Sequence, residues 1–63
     1  MWVIMQDGSA IDNKTGDEMY MNFGSDAITR VYFNNKVINI FSSVADARNF
    51  IKERVDWLNS KES

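Results

Sequence analysis

Apolar and polar positions alternate along the first two thirds of the chain, then switch to a helical period in the last third. The opening run Trp2-Val3-Ile4-Met5-Gln6 is β-branched and aromatic and predicts a strand. Asp7-Gly8 follows and marks a tight turn, because Gly tolerates positive φ. Residues 9–12 predict a short second strand through Ala10 and Ile11. The polar run over residues 12–17 predicts a loop or wide hairpin, and Glu18-Met19-Tyr20-Met21-Asn22-Phe23 a further strand. Gly24-Ser25-Asp26 then breaks the pattern.

The strongest hairpin signal joins residues 28–33 to residues 36–41 through Asn34-Asn35. Asn accepts left-handed backbone more readily than other non-glycine residues, so a type I′ turn is expected. With a two-residue loop, Phe33 faces Lys36, Val31 faces Ile38 and Thr29 faces Ile40 on one side. Tyr32 then faces Val37, Arg30 faces Asn39 and Ile28 faces Phe41 on the other. A longer loop would shift that register and turn one strand over.

Residues 44–58 read as a helix, capped by Ser42 or Ser43 with Asp46 in the capping-box position. Val44, Ala47, Ile51, Val55 and Leu58 form one stripe about 80° wide at 100° per residue. Phe50 and Trp57 lie together to one side of it, with Arg54 between the two groups. Asp46, Asn49, Lys52, Glu53 and Asp56 make the solvent face, and the helix is expected to fray at Asn59-Ser60. The order predicts an α+β fold: a small antiparallel meander of four to five strands, followed by one C-terminal helix on one face.

The last hairpin carries apolar residues on both faces, and one helix covers only one. The second face has three fates. N-terminal strands close over it as a roll, a second copy covers it, or a partner binds it. A flat open face would expose roughly several hundred Å², which soluble monomers seldom do.

Length narrows the picture next. Sixty-three residues make one small domain, 1–63, and 44% hydrophobic with 25% charged residues marks it as globular. Cores below about 70–80 residues rarely supply more than roughly 3–5 kcal/mol, so a homo-oligomer or bound partner is the natural source of extra burial. No Cys, His or Pro is present. That excludes disulfides, thiolate or imidazole metal ligands and every Cys- or His-based triad. No apolar run approaches the roughly 20 residues of a membrane-spanning helix, and residues 1–5 lack the basic flank of a signal peptide.

The candidate chemistry is sparse. From Asp12 a calcium loop would need oxygen ligands at its third and fifth positions, which are Lys14 and Gly16. Asp12, Asp17 and Glu18 cluster in one loop, and two such carboxylates could serve glycoside hydrolysis, but nothing else suggests a cleft. The serines sit at turns and caps with no His to activate them, and Gly8, Gly16 and Gly24 form no phosphate loop. No catalytic, cofactor-binding or metal-binding residue is assigned, and a non-enzymatic role is expected. Residues 1–29 carry net −4 and residues 30–63 net +2. The overall charge of −2 still disfavours a phosphate-dominated nucleic-acid interface. A weak single-strand binder is kept as an alternative, since aromatics beside Arg stack bases.

Protein recognition is favoured. Phe50, Arg54 and Trp57 on the helix flank, and Arg30, Tyr32 and Phe41 on the second sheet face, combine aromatic area with an Arg. These six are the interface candidates. The alternative is that Phe50 and Trp57 cover the sheet edge while Arg54 snorkels past them.

The opening residues 1–8, the hairpin Phe33-Asn34-Asn35-Lys36, and Phe41-Ser42-Ser43 leading into Ala45-Asp46-Ala47 carry a resemblance. The chain resembles short uncharacterised proteins of Gram-positive bacteria and their phages and prophages. These open with a similar Trp-Ile-Met-Gln-Asp strand and end with a strand, a Ser or Thr cap and one helix. The loop over residues 13–18 departs from that pattern, and the family carries no activity to transfer. The resemblance implies a mobile-element setting in the bacterial cytoplasm. It also implies action as a modulator or inhibitor that binds a host protein such as a defence factor. A structural homodimer is the alternative.

Overall fold

The period-two runs become strands and the capped 3.6-period run becomes a helix. The computed structural model describes residues 1–62. It contains β1 (Trp2–Ile4), β2 (Ala10–Asp12), β3 (Glu18–Phe23), β4 (Thr29–Phe33), β5 (Lys36–Phe41) and α1 (Val44–Lys61). The strands form one open antiparallel sheet in the order β1-β2-β3-β4-β5, with α1 on one face. This is the α+β meander with one C-terminal helix that the sequence predicts.

The boundaries follow local hydrogen bonding. β1 stops at Ile4 rather than Gln6 because Met5 already closes a loop. Its N–H donates to Ser9 O at 2.7 Å, and Gly8 N–H donates back to Met5 O at 3.1 Å. Gly8 sits at φ 90°, and a Cβ there would lie 3.0 Å from Arg48 Nε. The positive φ is what favours glycine here; the Arg48 side chain is flexible enough to yield the space. Ser43 caps α1 as expected, its Oγ accepting from Ala45 N–H and Asp46 N–H.

The hairpin from β4 to β5 departs from expectation at its midpoint. Phe33 faces Lys36 and Tyr32 faces Val37, as a two-residue loop requires. The ladder then shifts: Val31 faces Asn39, Arg30 faces Ile40 and Thr29 faces Phe41. Ile38 is the extra residue of a β-bulge, and the second half of β5 is turned over relative to the simple ladder. Phe41 accordingly faces the helix, its ring 5.5 Å from that of Phe50. Its expected place on the second sheet face is corrected. Ile40 moves the other way and is 56% exposed. The turn also differs from type I′, because only Asn34 of the pair takes positive φ, at 53°.

The core lies between the sheet and α1. Trp2, Ala10, Met19 and Val31 pack against Ala47, Ile51 and Val55, with Met21, Phe33, Phe41, Phe50 and Leu58 around them. Val44, at the first position of α1 and expected in the helix stripe, is 39% exposed. Thr29 is wholly buried, and its Oγ1 has no hydrogen-bond partner among the described residues. Such a group costs about 1–3 kcal/mol. β1 and β5 remain separate edges, so no roll forms and the second face stays open.

The bulge makes adjacent residues unequal. Phe41→Ala should lower unfolding free energy by about 2–3 kcal/mol, somewhat below the range for a fully buried Phe. Ile40→Ala should lower it by less than about 1 kcal/mol. Urea denaturation of the two variants checks this, and the reverse order would belong to a ladder without the bulge.

Candidate interaction surfaces

Each edge strand of the sheet has one backbone N–H taken by an asparagine side chain. On β1, Trp2 N–H donates to Asn59 Oδ1 at 2.8 Å, and Asn59 Nδ2 donates to Trp2 O at 3.0 Å. The amide stands where the backbone of a neighbouring strand would stand. The bond also explains why α1 runs on to Lys61, through residues expected to fray. On β5, Asn39 Oδ1 accepts from Ile40 N–H at 2.8 Å, beside the bulge. At Trp2 the β1 edge is thus blunted as a template for strand addition, and the two faces carry the candidate side chains.

The outer face, away from α1, is set by the register. Tyr20 faces Tyr32, Tyr32 faces Val37, and Arg30 faces Ile40. The two tyrosine rings stack at 5.2 Å and 11°. The Tyr20 hydroxyl lies 3.0 Å from both Asn34 O and Asn35 Oδ1, which ties the face to the turn. Val37 and Ile40 are exposed beside the pair. Arg30 is held by Asp26 through two contacts of 2.7 and 3.3 Å. That guanidinium, with the Ile28 N–H, holds the Asp26 carboxyl below the usual carboxylate range, and Asp26 raises Arg30 in turn. Of the candidates for this face, Arg30 and Tyr32 come together and Phe41 does not. Tyr20 is the member that sequence reading missed. The alternation Met19-Tyr20-Met21 was the available signal, since it puts the ring opposite two core methionines.

The helix flank brings Phe50, Arg54 and Trp57 together as their spacing predicts. The Arg54 guanidinium carbon lies 5.8 Å from the Phe50 ring centre and 5.4 Å from that of Trp57. Lys61 joins them, its Nζ 3.8 Å from the Trp57 ring centre. The sequence gives no sign of it, because the apolar stripe ends at Leu58 while α1 runs on to Lys61. Trp57 is 48% exposed, whereas Phe50 is half-buried under Phe41. Among the described residues neither Arg54 nor Lys61 pairs with a carboxylate. Beside this flank, Met19, Phe33, Ile38, Leu58 and Arg54 line a cleft of about 210 Å³ between α1 and the last hairpin.

The acidic loop is organised around its own backbone. Asp12 is 7% exposed, and its carboxylate accepts from the Met1 amino group, Lys14 N–H and the Thr15 hydroxyl. The Lys14 N–H is the main reason its carboxyl is held below the usual range. Asp17 contacts the same Thr15 hydroxyl at 3.0 Å. Asp12 and Asp17 thus share a loop-forming contact rather than flanking a cleft. Among the described residues no three His, Cys, Asp or Glu side chains gather as a metal site, and no helix is long and apolar enough to cross a membrane. Compared with known family models, curated proteins and solved structures, the chain matches none.

The edge contact is directly testable. Asn59→Ala should destabilise the fold by about 1–2 kcal/mol net, since the lost pair of hydrogen bonds outweighs the better helix propensity of Ala. It should also speed hydrogen exchange at the Trp2 amide. An unchanged midpoint with an unchanged Trp2 amide would show that the contact contributes nothing.

Proposed function

We propose that the protein is a non-enzymatic binding module that acts by contact with another protein. The observation that carries this reading is the open sheet. One helix fills one face, and the other keeps stacked Tyr20 and Tyr32 with exposed Val37 and Ile40 outside the core. The cation–aromatic flank of α1 adds a second such surface. Aromatic and Arg-rich patches of this kind are where binding energy concentrates in protein interfaces. The resemblance to short phage and prophage proteins supports a host protein as the partner, met in the bacterial cytoplasm, with modulation or inhibition as the outcome.

A homodimer is the second reading, and one observation favours it. The charge on the outer face is already neutralised within the chain, because Arg30 is held by Asp26. A second copy therefore meets the tyrosine patch without like-charge repulsion.

Alanine at Tyr32 and at Trp57 tests both. Each variant should shift the thermal midpoint by only a few degrees while weakening association. The expected loss on truncating one such aromatic at an interface is about 2 kcal/mol. Sedimentation of the free protein reads self-association, and co-purification with wild type as reference reads partner binding. If both variants unfold while the wild type stays a concentration-independent monomer, these rings are core and the reading fails.

A further inference from the structure

Ile38, the extra residue of the bulge in β5, lines a cleft together with Met19, Phe33, Leu58 and Arg54. At about 210 Å³ the cleft is smaller than the roughly 300–1,000 Å³ of small-molecule sites. It suits one bulky apolar side chain rather than a metabolite. One cation, Arg54, borders it, and Lys61 stands close by on the helix flank: both are drawn onto the Trp57 ring without a carboxylate partner among the described residues. Side chains already ordered by ring contacts lose less freedom when they meet a ligand.

We propose that this cleft binds an acidic peptide segment of a partner protein, which places the binding-module reading on one site. One apolar side chain of the segment enters the cleft, and its flanking carboxylates meet Arg54 and Lys61. Charge complementarity selects this occupant, because Arg54 and Lys61 have no carboxylate partner among the described residues. The acids in this chain's loops are engaged at home: Asp7 by Ser9, Asp12 by Lys14 and Thr15, Asp17 by Thr15 and Asn34, and Asp26 by Arg30. Nucleic acid fits less well, because two cations already lie over the Trp57 ring that a base would stack upon. Glu53, beside Arg54 and Trp57, borders this flank and works against the ligand.

The test is a titration of the isotopically labelled full chain, followed by NMR, with a capped heptapeptide of one phenylalanine between two runs of three glutamates. Saturable shifts should centre on Ile38, Arg54, Leu58 and the Trp57 indole, and binding should weaken as salt rises. Arg54→Glu should weaken it about tenfold while lowering the thermal midpoint by no more than a few degrees, through loss of its contacts with the Phe50 and Trp57 rings, and Glu53→Gln should tighten it. Replacing the phenylalanine by alanine, or the glutamates by lysines, should abolish it. Failure to saturate at millimolar peptide overturns the proposal. So do shifts centred on Tyr20 and Tyr32, equal binding of the lysine peptide, or tighter binding of a thymidine oligonucleotide. If the cleft stays silent while Tyr32→Ala still abolishes association, this site falls and the binding-module reading stands on the outer face.

Discussion

A helix of 18 residues has one apolar stripe, and a five-stranded sheet has two faces. In this chain the stripe is Ala47, Ile51 and Val55, and it is spent on the inner face of the sheet. Everything else in the structure answers to that shortage. The inner face can be fully apolar, with Met19 and Val31 wholly buried. The outer face must be built from residues that tolerate water yet still pack with one another. Two stacked tyrosines and a neutralised Arg–Asp pair meet that demand. The open sheet also leaves two edges, and on β1 the Asn59 amide takes the place of a missing strand at Trp2.

The bulge at Ile38 is where the shortage is resolved within β5. A simple ladder would have sent Ile40 inward beside Thr29 and left Phe41 outward. With the bulge, Phe41 reaches Phe50, which in turn gives Arg54 a ring to rest on. Ile38 itself stays at the margin of the core and lines the cleft with Leu58. One inserted residue thus links the filling of the core to the shape of the helix flank.

Much of this is legible from the chain. Gly8, Gly24 and Asn34-Asn35 punctuate the strands, and Ser43 announces the helix with the stripe that follows it. The grouping of Phe50, Arg54 and Trp57 follows from helical spacing alone. The bulge is not legible, because Val37-Ile38-Asn39-Ile40 carries no Gly or Pro to mark it and alternates acceptably in the unbroken register. Its position is decided by which residue the helix can cover, a tertiary preference that overrides the local pattern. Asn59 and Lys61 were missed for a related reason. Helix-end rules treat Asn as a stop signal, whereas here its amide meets a strand 57 residues earlier in sequence.

The account stands on the division of β5 between the two faces, and that division sets both candidate surfaces. Nuclear Overhauser contacts measure it most directly. The account predicts contacts from the Phe41 ring to the Phe50 ring and from Ile38 to Leu58, with none from Ile40 to α1. Ile40 methyls in contact with Ile51 or Val55, and a Phe41 ring beside Tyr32, would contradict it.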